Sequence, residues 1–197
     1  MQNKAVISVS GGMDSTSLLL RLIREDYDVT AISFDYGQKH IIELHRLKKN
    51  LEYLKSKGYN VSYKKIDLKS ITSSFTSSLT SKDIDVPEGF YEEESMKQTV
   101  VPNRNAMFSS IAYGIALSIA NENRQEVKLA LGVHSGDHAI YPDCRPEFYE
   151  KLFDCFSTGN WDGHLVKPYL PYIDGDKTTI LQDALILLEQ PLPGYIE

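Results

Sequence analysis

The segment with the clearest chemical potential runs from Ser8 to Ser15 and reads Ser-Val-Ser-Gly-Gly-Met-Asp-Ser. The apolar run at 5–7 before it predicts a short strand, and the leucines at 18–20 after it predict a helix. A turn between a strand and a helix faces the first N–H groups and the positive dipole end of that helix. Because Gly11 and Gly12 carry no Cβ, backbone can approach a ligand closely there. The segment therefore predicts a site for phosphate or pyrophosphate.

The order of residues in this turn differs from two common nucleotide motifs. It lacks both the Gly-Lys-Ser/Thr of the Walker form and the spacing of Gly-x-Gly-x-x-Gly. Ser-Gly-Gly-x-Asp-Ser instead resembles the pyrophosphate loop of the N-type ATP pyrophosphatases. That resemblance implies cleavage of ATP between its α- and β-phosphates and adenylation of a substrate oxygen. A Gly-Gly pair alone is common in tight turns, so the prediction depends on the whole string between strand and helix.

The composition predicts one globular domain over residues 1–197. Hydrophobic residues make up 42% of the chain and charged residues 24%, as in folded rather than disordered proteins. The net charge of -6 argues against a chain that binds nucleic acid by neutralising its phosphates. We therefore expect small-molecule partners and no nucleic acid.

Cysteine usage and hydropathy predict where the protein works. No run of about 18 apolar residues occurs, so we expect no membrane span, and a strand that begins by Ala5 leaves no room for a signal peptide. The two cysteines, Cys144 and Cys155, are too few for a disulfide framework. These features favour the cytoplasm. The sequence does not set the oligomeric state, for which a homodimer is the commonest default.

Strand and helix patterns alternate along the chain. We predict strands over 4–10, 28–34, 60–67 and 127–133, and helices over 15–24, 40–57, 103–119, 147–156 and 177–189. This alternation predicts an α/β fold, a Rossmann-like doubly wound parallel sheet with helices on both faces. Ligands of such sheets bind beyond the carboxyl ends of the strands, where the strand order switches. Asp14, Asp35 and Asp67 each lie at or just past such an end.

Residues 69–99 interrupt the alternation. The segment is rich in serine and threonine, carries the acidic triplet at 92–94 and has few apolar anchors. A polar stretch of this length inside a domain is typical of disorder or of a functional lid. We predict a lid that orders when ATP binds.

Five further strings occur in chain order around the predicted strand ends: Asp35-Tyr36-Gly37-Gln38-x-His40, Val101-Pro102-Asn103-Arg104-Asn105, Gly132-Val133-His134-Ser135-Gly136-Asp137, Tyr141-Pro142-Asp143-Cys144-Arg145-Pro146-Glu147-Phe148 and Lys177-Thr178-Thr179-Ile180. Together with the glycine turn, they resemble the 7-cyano-7-deazaguanine synthase family, which makes a nitrile precursor of queuosine. The resemblance spans about residues 4 to 185. It implies a fold of the adenine nucleotide alpha-hydrolase-like (HUP) type. No general fold constraint requires the string that begins at Tyr141, so it is the most specific of the set.

The resemblance implies an ATP-dependent ligase that forms a C–N bond. The carboxylate of 7-carboxy-7-deazaguanine would be adenylated and attacked by ammonia to give an amide. A second adenylation, of the amide oxygen, followed by loss of AMP would give the nitrile. A carboxylate is a poor electrophile with a poor leaving group, and adenylation corrects both defects. The charge that develops on pyrophosphate calls for hydrogen-bond donors and a metal, expected to be Mg²⁺.

The resemblance also assigns roles toward ATP. Residues expected to bind ATP are those of the glycine turn and two aromatic residues after the second strand: Ser8, Val9, Ser10, Gly11, Gly12, Met13, Asp14, Ser15, Thr16, Phe34 and Tyr36. Asp14 would also position Mg²⁺, which needs only one or two carboxylates beside phosphate oxygens. Asp14, Arg104 and Lys177 are the expected catalytic residues, with Lys177 neutralising phosphate charge.

The expected deazapurine pocket comes from the other strings: Gln38, His40, Arg104, Asn105, His134, Asp137, Tyr141, Asp143 and Arg145. A carboxylate accepts paired N–H groups from a guanine-like edge, and a tyrosine ring stacks on its face. Arg104 would face either a phosphate or the substrate carboxylate.

Simpler explanations compete for several of these residues. Asp14 would also fit a cap of the following helix, alone or together with its role toward ATP, and Asp143 after Pro142 would fit turn chemistry. Arg145 and Lys177 are also explained as solvated cations at helix starts. Cys144 either lines the substrate pocket or packs as a small buried residue.

The chain departs from the family pattern at its carboxyl end. The usual synthase continues into a four-cysteine zinc cluster, whose ligands do not occur in these 197 residues. A missing tail, a natural short form and closure by another chain are the three explanations. We expect no structural zinc here, since the spacing of Cys144, Cys155, His134 and His138 is unlike that of structural zinc sites.

Three other functions compete with nitrile synthesis. One enzyme would stop at the amide or attach the deazapurine to another amine. A second would be another member of the pyrophosphatase superfamily, such as an amidating synthetase or a tRNA-modifying ligase. The third is a non-catalytic nucleotide-binding relative, against which the intact glycine turn argues.

Overall fold

Strand β1, Lys4–Ser8, lies at the centre of the sheet because it is apolar on both faces. Ala5, Val6 and Ile7 are each at most 1% exposed. Successive side chains of a strand point to opposite faces. Ala5 and Ile7 accordingly pack into one core cluster and Val6 into the other. The sheet therefore needs a helical layer on each side.

The computed structural model describes residues 2–37, 42–75, 101–137 and 141–189. Four more strands in these ranges extend the sheet: β2 (Asp28–Asp35), β3 (Ser62–Asp67), β4 (Val127–Ala130) and β5 (Val166–Tyr169). All pairings are parallel and the order is β3-β2-β1-β4-β5. The order switches between β1 and β4, which confirms the predicted doubly wound sheet and its switch point.

The helices cover both faces of the sheet. They are α1 (Met13–Arg24), α2 (Ile42–Ser56), α3 (Lys69–Thr72), α4 (Arg104–Asn123), α5 (Pro146–Thr158) and α6 (Lys177–Glu189). Helices α1, α2 and α6 pack on one face through Leu18, Leu47 and Ile180. Helices α4 and α5 cover the other through residues such as Ala116 and Phe153. None of the helices within the described ranges is both long and apolar enough to cross a membrane.

Strand β5 escaped prediction because its sequence is Val-Lys-Pro-Tyr. Pro168 has no N–H to donate, so proline within a strand pattern normally argues against a strand. In the described sheet β5 pairs with β4 alone and lies at the edge, where proline is tolerated. Its register places Tyr169 beside Ala130. Because β5 is parallel to β1, the chain leaves β5 at the carboxyl ends of the strands, where the glycine turn also lies.

Two other expectations need correction. The predicted inward row of α4 (Phe108, Ile111, Ile115 and Ile119) is only half-buried, and Ala112, Ala116 and Ala120 are innermost. Small side chains on this face let the long helix lie close to the sheet. The predicted polar segment 69–99 begins with the short helix α3. Its Thr72 is 1% exposed and donates a hydrogen bond to the Tyr36 carbonyl at 2.8 Å. The remainder of the predicted lid, from residue 76, lies outside the described residues.

Candidate active site

A cavity of about 320 Å³ lies at the switch point between β1 and β4. It collects residues that follow three neighbouring strands and those at the start of α4. Of the predicted site residues, the following line it: Ser8, Val9, Ser10, Gly12, Asp14, Ser15, Phe34, Tyr36, Arg104 and Asn105. The ATP-side and substrate-side predictions thus meet in one space, with Arg104 and Asn105 from the substrate side.

The glycine turn is held by hydroxyl groups and by one close backbone contact. The Ser10 hydroxyl accepts a hydrogen bond from Gly12 N at 3.1 Å, and the Ser15 hydroxyl accepts one from Ser10 N at 3.1 Å. Gly11 has a φ of +93°, and a Cβ there would lie 2.1 Å from the Glu43 carbonyl oxygen. Only glycine fits this position. The requirement for Gly11 thus comes from contact with α2, a reason the sequence did not supply.

Gly12, not Asp14, occupies the N-cap position of α1. Asp14 is the second helical residue, so it is not the N-cap that the simpler interpretation required. Its side chain lines the cavity and is 32% exposed. An acidic residue in the first turn also interacts favourably with the helix dipole. Asp14 is therefore placed to meet a ligand above the helix N-terminus.

An aromatic wall forms one side of the cavity. The rings of Phe34 and Phe108 stack at 4.2 Å between centroids and 9° between planes, and Tyr36 contacts Phe108 at 5.3 Å. Phe34 is 5% exposed, so it supports the wall more than it offers a face. Such a wall suits a planar base.

Arg104 lies between the two halves of the cavity. Its guanidinium carbon is 6.0 Å from the centre of the Tyr141 ring. Burial lowers the pKa of Arg104, but Tyr36 and Asp143 outweigh burial and the pKa is raised overall. Since tyrosine is neutral at pH 7, the Asp143 carboxylate is the charge that acts there. Arg104 therefore stays a fixed cation, as arginine does in proteins.

Cys144 and Tyr149 also line the cavity. Cys144 ends the short 3-10 helix Pro142–Cys144, is 4% exposed and accepts a contact from Asn105 Nδ2 at 3.5 Å. Burial raises the pKa of Tyr149 far above its ordinary value, so its hydroxyl stays protonated. Of the two interpretations of Cys144, the structure supports the one in which it lines the pocket.

His134 lies beneath the glycine turn, not among the described residues that line the cavity. It is 1% exposed, and its Nε2 is 3.6 Å from Asp14 Oδ2. His134 is therefore buried beside Asp14 and is not in the described lining of the cavity, and its role toward the substrate stays a prediction.

Comparison with known proteins identifies the family. Residues 4–189 match the family model described as queuosine biosynthesis protein QueC. The chain belongs to the QueC family.

Relatives of this QueC family member carry a consistent name. The 7-cyano-7-deazaguanine synthase of Pseudoalteromonas translucida is 43% identical over 187 residues, covering 95% of this chain and 80% of that protein. The protein of that name from Alteromonas mediterranea is 46% identical over 188 residues, covering 94% and 79%. A solved structure described as a predicted subunit of tRNA methyltransferase, from Methanocaldococcus jannaschii, is 13% identical with a TM-score of 0.52, covering 93% of this chain and 74% of that one. That likeness concerns the fold alone.

The remaining predicted site residues are placed as follows. Gly11, Met13 and Thr16 belong to the turn and first helical residues but are not among the described lining residues. Asp143 and Arg145 flank the lining residue Cys144 in the chain, and the Tyr141 ring contacts the lining residue Arg104. Lys177 is exposed at the first position of α6. Gln38 and His40 lie outside the described residues. The backbone of Asp137 ends the short 3-10 helix Ser135–Asp137.

Several lining residues were missed: Glu43, Phe108, Ser109, Leu131, Gly132, Val133 and Tyr149. Phe108 and Ser109 follow Arg104 and Asn105 by one helical turn, so the spacing contained a usable signal. The sequence carried no signal for Glu43, because its position in the cavity depends on how α2 packs against Gly11.

The donor set in the cavity suits a hard cation. Carboxylates of Asp14 and Glu43 and hydroxyls of Ser10 and Ser15 all line it, and Mg²⁺ binds oxygen ligands of this kind together with phosphate. Within the described ranges, no group of three or more His, Cys, Asp or Glu side chains is arranged to hold a metal by itself. The site therefore fits Mg²⁺ that arrives with a nucleotide. The expectation about structural zinc stays a prediction.

Proposed function

We propose that this chain is an ATP-dependent ligase that converts 7-carboxy-7-deazaguanine and ammonia into 7-cyano-7-deazaguanine. One observation carries the proposal: a single cavity is lined both by residues of the glycine turn and by Cys144, from the string that begins at Tyr141, with Tyr149 directly after that string. An adenylating enzyme needs its nucleotide and its acid within reach of each other. The names of the relatives give the product, 7-cyano-7-deazaguanine, and the acid with the same ring system is the corresponding 7-carboxylate.

The first half-reaction forms the amide. A carboxylate oxygen attacks the α-phosphorus of ATP, the bond to the β-phosphate breaks, and pyrophosphate leaves. Ammonia attacks the acyl carbon, AMP leaves with the bonding electrons, and a proton is released. In the second half-reaction the amide oxygen attacks the α-phosphorus of another ATP, the bond to the β-phosphate breaks, and a second pyrophosphate leaves. The nitrogen then loses two protons as the C–O bond breaks and AMP leaves with the bonding electrons, which creates the carbon–nitrogen triple bond. Two ATP are consumed for each nitrile.

The glycine turn would bind the phosphates. Backbone N–H groups at the start of α1 and the hydroxyls of Ser10 and Ser15 supply donors where negative charge develops. Asp14, with Glu43 close by, would hold Mg²⁺, whose chemistry there is neutralisation of pyrophosphate charge. Phe34, Phe108 and Tyr36 would accommodate the adenine.

The substrate side would be organised by Arg104. Its fixed positive charge suits the carboxylate before adenylation, and Asp143 holds that cation in place while remaining available to a guanine-like edge. Tyr141, Asn105 and Arg145 complete the proposed pocket. Roles for Gln38, His40 and Asp137 stay predictions.

Other properties are also proposed. We expect a cytoplasmic protein with one domain, for which a homodimer is the default oligomeric state. Lys177 is proposed to assist phosphate binding through its charge at the start of α6, on the same sheet edge as the cavity.

The purified chain tests the proposal when incubated with ATP, Mg²⁺, ammonium and 7-carboxy-7-deazaguanine, with mass spectrometry of the products. The nitrile, one water lighter than the amide, together with two pyrophosphates per turnover, is the expected result. An amide or a conjugate as the final product would replace the proposal with one of its rivals. Absence of pyrophosphate release that depends on the carboxylate would overturn the enzyme assignment.

A further inference from the structure

Arg104 and Asn105, the first two residues of α4, are joined by a side-chain hydrogen bond. Arg104 Nε donates to Asn105 Oδ1 at 3.3 Å. Both side chains are half-buried and line the cavity. A guanidinium has one N–H on Nε and four on its two terminal nitrogens. Because Asn105 accepts the N–H on Nε, the terminal nitrogens carry the donors that a ligand would meet.

The nitrogen of the Asn105 amide has a partner in a different segment. Asn105 Nδ2 donates to Cys144 Sγ at 3.5 Å, a weak hydrogen bond because sulfur is a weak acceptor. Cys144 is 4% exposed and ends the 3-10 helix Pro142–Cys144. The amide therefore bridges α4 and the string that begins at Tyr141, and its oxygen faces Arg104 while its nitrogen faces Cys144.

Two further residues of that string act on the guanidinium of Arg104. The guanidinium carbon lies 6.0 Å from the centre of the Tyr141 ring, a distance at which a cation is attracted to an aromatic face. The Asp143 carboxylate acts on Arg104 through its charge. Contacts from two separate segments, the start of α4 and this string, thus set the position of Arg104.

We infer that Asn105 is a positioning residue, which holds the Arg104 guanidinium so that the site binds the acid in preference to the amide. The inference rests on the proposed function, in which Arg104 meets the substrate carboxylate. The acid is negatively charged and the amide formed midway is neutral, so hydrogen bonds from a cation stabilise the bound acid more. A guanidinium held in one orientation retains this preference, whereas one that rotates freely loses much of it.

Kinetics with the acid or with the amide as the starting substrate separate this role from a purely structural one. In N105A we expect the KM for the acid to rise about tenfold, the KM for the amide to rise less than about threefold, and the KM for ATP to change little. Thermal unfolding would report stability. N123A is the matched control and should change none of the three KM values. It removes another half-buried asparagine of α4, one that donates to the Ile119 carbonyl at 2.8 Å near the other end of the helix.

Variants of the two partners test the path through which Asn105 acts. In an R104K background N105A should add no further loss, because lysine has no donor at the Nε position for Asn105 to accept. C144A should reproduce part of the N105A effect, and C144S, which keeps an acceptor for the amide nitrogen, should restore most of it.

Several outcomes would overturn the inference. They are equal rises in the KM for acid and amide in N105A, an additive loss in the R104K background, and a wild-type enzyme that binds acid and amide equally well. A rise in the KM for ATP with both substrates would mean that Arg104 serves a phosphate instead. If N105A does not fold, N105S takes its place, since serine is too short to reach Arg104 Nε. Failure of the wild-type chain to convert either substrate would instead overturn the proposed function.

Discussion

Two aspartates near the carboxyl ends of neighbouring strands, Asp35 and Asp14, have different surroundings. Asp35 ends β2 and is 3% exposed, with Lys65 Nζ at 3.1 Å and Lys69 Nζ at 3.0 Å from its carboxylate. Burial alone would raise the pKa of Asp35, but the two lysines and the Gly37 N–H outweigh it and the pKa is lowered. Its charge is already matched within the protein.

Asp14 is placed differently, at the β1–β4 switch. It lines the cavity, its side chain is 32% exposed, and His134 Nε2 lies 3.6 Å from its Oδ2. A ligand in the cavity can therefore reach this carboxylate. Both aspartates follow predicted strands. Burial and position relative to the cavity distinguish the two carboxylates.

The largest effect is expected from D14N. This change removes the charge while keeping the shape, so turnover should fall about a hundredfold to a thousandfold, with little change in thermal stability because Asp14 is part-exposed. Rates of pyrophosphate release and unfolding curves of both proteins provide the measurement. A near-normal rate would mean that Asp14 has no catalytic role and does not differ from Asp35 in function.

A smaller effect is expected from D143N, on the substrate side of the same cavity. Loss of the carboxylate leaves the half-buried Arg104 with a weaker partner and a guanine-like edge without its acceptor, and each loss costs about 1–3 kcal/mol. The KM for the deazapurine should rise about tenfold or more while the KM for ATP changes little. D154N, at an exposed position of α5, is the control. Equal rises in both KM values would move Asp143 out of the substrate pocket.

The contrast also shows which parts of the structure were predictable. The glycine turn was readable because strand, turn and helix are contiguous, and the start of α6 was predicted to the residue because Lys177–Glu189 has a clear apolar repeat. Strand β5 was hidden by Pro168, whose tolerance depends on an edge position that only the assembled sheet defines. Glu43 and the burial of His134 depend on contacts between distant segments, which periodicity does not encode.

D35N tests the structural half of the comparison. The variant loses two ion pairs of a buried carboxylate, but both lysines are half-exposed, so we expect a loss of about 1–2 kcal/mol in the free energy of unfolding. Turnover should change less than about twofold, since among the described residues Asp35 is not in the cavity lining. D67N, at an exposed neighbour that shares Lys69, should change neither quantity measurably. A large loss of turnover in D35N would mean that Asp35 acts in the same site as Asp14.

The pH dependence of stability sharpens the same point. Since the pKa of Asp35 is lowered in the folded protein, its contribution is present above its ordinary value of 3.8 and is lost as pH falls through the folded-state value. The difference in unfolding free energy between wild type and D35N should therefore be constant from neutral pH to about 5 and shrink below 3.8. Denaturant titrations at several pH values measure it. A difference that grew on acidification would mean that the pKa of Asp35 is raised, not lowered, in the folded protein.

The smallest effect is expected from K177Q, at the first residue of α6. Lys177 is exposed at the start of α6, so its charge reaches a nucleotide in the cavity through solvent and is screened by salt. We expect the KM for ATP to rise about twofold to threefold at low ionic strength and the difference to vanish at about 0.5 M salt. K151Q, at an exposed position of α5, controls for net charge. A rise that persisted in high salt would instead mean direct contact between Lys177 and phosphate, because only a short-range pair resists screening.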